Sequence, residues 1–230
     1  MKKMKMQTND TLVKDFLLKN KGKGALLEHE VKGFLKTLGL SVPDGVFIPK
    51  GARLPEVGPR LSYPLAAKVS SSSIASKSDV KGIRLGIKNE DELKTAVPEL
   101  MSIERAEGVL VEEMAPQGLE VIIGGIIDGQ FGPIVMFGLG GVFVELFRDV
   151  SFGLAPLKSD EALRLVKQVK GYRLLKGYRG NPPIDMDALM NIIVSVSEIM
   201  ATGMVKEMDL NPVSLYDKGA MILDAKMQML

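Results

Sequence analysis

The chain has 230 residues, 46% of them hydrophobic and 25% charged, with a net charge of +2. Those are the proportions of a soluble globular protein long enough for one core or two lobes, and so small a charge gives no basis for nucleic-acid binding. Cysteine is absent and His29 is the one histidine, which excludes disulfides, thiol catalysis and Cys- or His-rich metal sites; with no apolar run long enough to span a bilayer, the expected location is cytoplasmic.

Residues 1–23 read as a polar N-terminal extension with a short helix from Thr11 to Lys19, capped by Asn9 or Asp10. Ala25 to Leu38 reads as a helix whose apolar stripe is Leu27, Val31, Phe34, Leu35 and Leu38, stopped by Gly39 and Pro43. His29 falls off that stripe and is expected to face solvent. Val42 to Ile48 is a predicted strand, followed by a Pro- and Gly-rich loop from Pro49 to Pro59.

Pro64 to Val69 is a short predicted strand carrying Lys68 among small apolar residues, and Ser70, Ser71, Ser72, Ser73, Ser76, Lys77 and Ser78 follow it. A lysine ending a buried strand before a loop of hydroxyls and amides reads as a phosphate cradle. It reads equally as a lysine snorkelling from a sheet edge beside a flexible loop. The spacing is not that of a P-loop. Arg84 to Ile87 is a strand, Asn89 caps a helix, and Pro98 predicts a break in it. Val109 to Glu112 is a strand, and the segment from Glu113 to Pro116 marks a lobe boundary. The division expected is therefore 24–111 and 112–230.

Glu120 to Ile127 and Pro133 to Phe137 form a predicted hairpin across Asp128-Gly129. Gly138, Gly140 and Gly141 then precede an alternating run holding a single carboxylate, Glu145. Either the glycines admit a close backbone approach at which Glu145 points, or this is a two-sided core strand with a bulge and an edge acid. Helices are predicted for Asp160 to Val169 and Asp185 to Met200. In the last segment Glu207, Asp209 and Asn211 alternate with Met208 and Leu210, presenting oxygen-bearing groups on one face. A turn at Lys218-Gly219 sets Val213 opposite Asp224 and Asn211 opposite Lys226, with Asp224 on the face of Asp209 and Asn211. Two carboxylates and an amide suit a hard cation such as Mg²⁺. The alternative is a solvated ribbon whose acids pair with Lys226. A lysine-and-serine cradle in one lobe and an acidic ribbon in the other form a layout for holding a nucleoside triphosphate, since phosphoryl transfer needs mainly positioning and charge neutralisation.

From Glu28-His29-Glu30-Val31-Lys32 to the C-terminus, and above all in FGPIVMFGLGGVFVE, RDVSFGLAPL, GYRG at 177–180, and KEMDLNP followed by LDAK, the chain resembles the β subunit of ADP-forming acetyl-CoA synthetases, ATP-grasp proteins related to succinyl-CoA synthetase β chains. The resemblance implies an α+β ATP-grasp fold whose two α+β lobes grip ATP or ADP between them. It implies phosphate contact by Lys68, adenine held by backbone groups at Val111, Glu112 and Met114, and Glu120 near the nucleotide. It implies Mg²⁺ at Asn211 and Asp224 with Asp209 close by, and catalytic positions at Ser76, Lys77 and Glu145. It further implies a CoA-binding α subunit as partner, in an α2β2 assembly. Family members read I-L-H-K-S-D where this chain has Ile74-Ala75-Ser76-Lys77-Ser78-Asp79, and D-V-G-G where it has Asp79-Val80-Lys81-Gly82. A serine phosphate ester is far more inert than a phosphohistidine, so the first change bears on phosphoryl relay and not on nucleotide binding. The alternative function is a nucleotide-binding paralogue that lacks the relay.

Overall fold

Two antiparallel sheets organise the chain. The structure, a computed structural model, describes residues 2–54, 60–141, 148–180 and 182–230, with side chains from residue 10 onward. Glu145 and the run around it, residues 142–147, lie outside the described residues, as does part of the Pro49 to Pro59 loop.

The chain divides into two compact units. One comprises residues 27–30 and 43–116; the other takes in the chain up to residue 26, residues 31–42 and residues 117–230. The contiguous lobes 24–111 and 112–230 expected from the sequence therefore do not follow the packing. Residues 1–23 are not a solvated extension either. Helix α1 (Lys2–Asn20) runs through Asn9 and Asp10 instead of being capped by them. Its Val13 and Leu17, one turn apart on one face, are buried in the larger unit's core, and Phe16 stacks on Phe34 at 4.0 Å.

In the smaller unit the sheet order is β1 (Gly45–Pro49), β4 (Gly108–Glu113), β2 (Leu65–Ser70), β3 (Ile83–Ile87). Leu65, Ala67, Val109 and Val111 alternate onto one face and form a core with Leu93, Ala96, Val97 and Leu100 of helix α3 (Glu90–Met101). Asn89 caps α3 by accepting the Glu92 N–H at 2.9 Å. The helix continues through Pro98, contrary to the predicted break. The missing N–H falls in its last turn, where buried Val97 and Leu100 hold it to the sheet.

In the larger unit the order is β10 (Ala225–Met229), β8 (Val205–Leu215), β5 (Leu119–Asp128), β6 (Gly132–Leu139), β7 (Val150–Leu154), with β9 (Ala220–Ile222) also on β8. Helix α2 (Glu28–Thr37), α4 (Ser159–Lys167), the short α5 (Tyr172–Leu175) and α6 (Met186–Ala201) complete the helices beyond α1 and α3 among the described residues. The turn between β5 and β6 spans 129–131 rather than the two residues expected. The Asp128 carboxylate accepts the N–H groups of Gln130 and Phe131, and Gly132 at φ 76° closes the turn. Asp149 of the RDVSFG motif is buried and receives the N–H groups of Lys170 and Gly171 at 2.7 and 2.8 Å, tying β7 to the start of α5. No helix among the described residues is long and apolar enough to cross a membrane.

Candidate functional site

Strand β2 lies between β4 and β3, and all six of its residues are buried. Lys68 is therefore not an edge lysine reaching for water. It sits on the sheet face opposite α3, where its Nζ is 2.8 Å from Glu112 Oε2 and 3.2 Å from Glu28 Oε1. Lys77 Nζ lies 2.9 Å from the other oxygen of Glu28. All four side chains are at most 10% exposed. Alternating signs along Glu112, Lys68, Glu28 and Lys77 make the burial tolerable, because each charge has an opposite neighbour in hydrogen-bonding range.

The same face explains two sequence features. Gly45, cross-strand from Glu112, has no room for a side chain: a Cβ there would stand 2.8 Å from Glu112 Cγ. His29, expected to face solvent, instead stacks on Phe47 with ring centroids 3.9 Å apart, and burial lowers its pKa against the opposing pull of Glu30 and Glu28. A flat aromatic surface one strand away from the helix start overrides its place off the stripe.

The serine loop is tied down by an acid the sequence did not reveal. Glu107 Oε1 accepts the Ser72 N–H at 2.6 Å and the Ser72 hydroxyl at 2.7 Å, while the Ser71 hydroxyl accepts the Ser73 N–H at 3.1 Å. Ser76, at the position of the family's histidine, is half-buried, and its hydroxyl accepts the Asp79 N–H at 3.3 Å. An anion arriving at these donors has to displace Glu107. The Ser72 N–H, then the Ser72 and Ser71 hydroxyls, hold the Glu107 carboxyl below its usual range. A depressed carboxyl contributes order above its unfolded pKa and loses it as pH falls through the folded value. Glu107→Ala is expected to speed hydrogen exchange at the Ser72 amide by roughly tenfold, the equivalent of one lost charged hydrogen bond. Wild-type protein should show the same speeding only on acidification below the ordinary carboxylate range. An unchanged Ser72 exchange rate in the variant would mean that the loop is ordered by something else.

At the segment expected to meet adenine, Val111 and Glu112 lie in β4, paired on both sides by β1 and β2. The N–H of Glu113 is bonded to Asp44 O and that of Met114 to Pro64 O. Met114 Sδ in turn accepts the Gly86 N–H. The Met114 N–H is thus already engaged, and a base held at this segment has to be met by its other backbone groups.

In the larger unit Met208 and Leu210 are buried while Glu207 and Asn211 are exposed and Asp209 is half-buried, as the alternation predicts. The register differs. Tyr216 N–H bonds to Gly219 O, so the turn is Asp217-Lys218, and Val213 pairs with Ile222 rather than Asp224. Asp185, the N-cap of α6, fixes it there: one carboxylate oxygen takes the Ala188 N–H and the other takes the Gly219 N–H at 2.8 Å. Asp224 comes opposite Asn211, whose N–H bonds to Asp224 O at 3.2 Å, and Lys226 comes opposite Asp209. The displacement is an even number of residues, so strand alternation still assigns Asp209, Asn211 and Asp224 to a common face, while beyond Asn211 Val213 and Ile222 turn into the core. A β-bulge falls between the Val121 and Ile123 pairings with β8, next to Asn211. Lys32, buried, donates to Leu223 O at 2.7 Å and holds the segment beside Asp224.

Among the described residues no three carboxylate or imidazole groups form a ready metal cage. Two carboxylates and one amide oxygen, accessible on an open sheet face, fit a cation that keeps most of its shell as water and phosphate oxygen. Glu120 is exposed at the head of β5, opposite Ser214. Gly140 of the FGLGG run lies against it: the Gly140 N–H bonds to Glu120 O at 2.8 Å, and a Cβ on Gly140 would stand 2.9 Å from that oxygen. The close approach this glycine permits is to the Glu120 backbone.

A family profile described as ATP-grasp domain matches residues 18–229. The chain is 39% identical over 210 residues to the acetate–CoA ligase [ADP-forming] I subunit beta of Pyrococcus furiosus, covering 88% of this chain and 90% of that subunit. It is 41% identical over 201 residues to acetate–CoA ligase [ADP-forming] II of Archaeoglobus fulgidus, covering 87% of this chain but only 30% of that longer protein. Among solved structures, the dinucleotide-forming acetyl-coenzyme A synthetase 1 of Candidatus Korarchaeum cryptofilum, in complex with coenzyme A and Ca-AMPCP, is similar with a TM-score of 0.83 and 40% identity. That match covers 94% of this chain and 99% of the other.

Proposed function

The chain belongs to the ATP-grasp family, and from that premise we propose that it is the nucleotide-binding β subunit of an ADP-forming acyl-CoA synthetase. The reaction is acyl-CoA + ADP + phosphate ⇌ carboxylic acid + CoA + ATP, run in the cytoplasm with a CoA-binding α subunit in an α2β2 assembly. The observation that carries this reading is Lys68, a buried ammonium ion-paired to two carboxylates on an interior strand. Such a group is costly to bury and is well suited to exchanging a carboxylate for a phosphate oxygen. The near end-to-end match to a separate β subunit, alongside a partial match to a longer single chain, supports a partner that supplies the remainder.

In this reading Lys68 and Lys77 meet the nucleotide's phosphates and neutralise charge as the phosphoryl group moves. Backbone groups near Val111, Glu112 and Met114 meet the base, with Glu120 beside the nucleotide. Asp209, Asn211 and Asp224 hold Mg²⁺, which when bound screens the phosphate oxygens from one another. Ser76 and Glu145 are the remaining catalytic positions, and Ser76 hydrogen-bonds the backbone where a histidine would carry phosphate.

The test is co-expression with a CoA-binding α subunit, followed by assay of acyl-CoA-dependent ATP formation. Activity confined to the complex supports the reading, and ADP binding without turnover, rescued by Ser76→His, assigns the missing step to the relay. Turnover by the isolated chain with ATP and an acid, or no nucleotide binding in either form, overturns it.

A further inference from the structure

We infer that Glu28, to which neither the sequence nor the relatives' names give a part, is a positioning residue that holds Lys77 in register with Lys68. The inference rests on the proposed nucleotide-binding role. Glu28 is 5% exposed and uses its two oxygens on two different lysines, Lys68 at 3.2 Å and Lys77 at 2.9 Å. Those lysines come from different elements: Lys68 from the interior strand β2, and Lys77 from the loop that follows it, next to Ser76. Without a bridging carboxylate, two ammonium groups this close would repel, and the one on the loop loses a buried ion-pair contact that fixes it. Glu112 is held within the ladder of β4 and pairs with Lys68 at 2.8 Å, whereas it is Glu28 that reaches both lysines. Glu28 enters from the first turn of α2, outside the sheet, and places one carboxylate between the two cations.

The charges give the inference its sign. Wild-type Glu112, Lys68, Glu28 and Lys77 sum to zero. Glu28→Gln leaves the group with one excess positive charge, which attracts a polyphosphate, while Lys77 loses its fixed position. Binding and turnover are therefore expected to part company.

The experiment uses the full chain in complex with its CoA-binding subunit and compares wild type, Glu28→Gln, Glu28→Asp, Lys77→Met and the Glu28→Gln/Lys77→Met pair. ADP affinity by calorimetry should stay within about threefold of wild type in Glu28→Gln, while kcat for ATP formation falls by roughly tenfold or more. Glu28→Asp, which keeps the charge but is one methylene short, should recover part of that loss. The double variant should fall no further than Lys77→Met alone, because Glu28 acts through that lysine. Amine-reactive labelling of Lys77, read by mass spectrometry, should rise in Glu28→Gln whether or not nucleotide is present. Losses of ADP affinity and kcat in proportion, an unchanged kcat, multiplicative losses in the double variant, or unchanged labelling of Lys77 each overturn the inference. If wild type binds no ADP while labelling of Lys77 still rises in Glu28→Gln, the positioning role stands and the proposed function falls.

Discussion

Lys68→Met is expected to abolish measurable ADP binding and to destabilise the smaller unit by about 3–5 kcal/mol, the scale of a broken buried ion pair. The methionine replaces most of the methylene stem, so little packing volume is lost. What goes is the ammonium between Glu28 and Glu112, whose side chains are 3% and 2% exposed. Urea unfolding should show the loss, and Lys68→Met/Glu112→Gln should recover part of it, since one of the stranded charges has gone. Calorimetry should find no ADP binding in either variant, because neutralising Glu112 restores fold and not the phosphate contact. Wild-type stability in the single variant would mean that the two carboxylates are not held apart from water as described, and retained ADP binding would take phosphate recognition away from β2.

Asp224→Asn is expected to weaken Mg²⁺-dependent nucleotide binding by at least about tenfold while leaving the weaker Mg²⁺-free binding unchanged. The substitution is isosteric and removes one carboxylate charge from the position opposite Asn211, next to the Asp209–Lys226 pair. Asp209→Asn should act in the same direction. Lys226→Ala should act in the opposite one, because Lys226 stands directly across from Asp209 and competes with a cation for its field. ADP titrations across a Mg²⁺ series separate the effects. A loss in Asp224→Asn that persists without Mg²⁺ would assign this acid to the nucleotide itself or to the fold.

Much of this was legible in the residues, and the misses have identifiable causes. Alternation read Met208 and Leu210 as inward and Glu207 and Asn211 as outward, as their burial is, even though the pairing register was placed two positions off. The turn itself was not readable locally: Gly219 is claimed by Asp185, a helix cap far away in sequence. Lys68 was found because a lysine inside a run of small apolar residues conflicts with its surroundings. Its partners were missed for opposite reasons. Glu28 lies three residues before Val31 and seven before Leu35, on the buried stripe of α2, so helical spacing did contain the signal. Glu112 could not be assigned from pattern, since nothing in a strand's own sequence says which neighbour its carboxylate will meet, and the same holds for Glu107, just ahead of that strand, and the serine loop. His29 failed likewise: its position on the helix was read correctly, but Phe47 supplied a surface no helical wheel contains.

The strand at the far end of the chain is flanked by some of the earliest residues. Gly24 O receives the Met229 N–H, Leu26 N–H reaches Met227 O, and Ala25 bridges Gln228. That border joins residues about two hundred positions apart, so its contacts carry a large loop-closure cost and form only after the sheet they complete. Breaking the pairing at one side releases the other, so Met227→Pro, which takes an N–H out of β10, should expose the linker around Lys23 to trypsin before any loop in the smaller unit is cut.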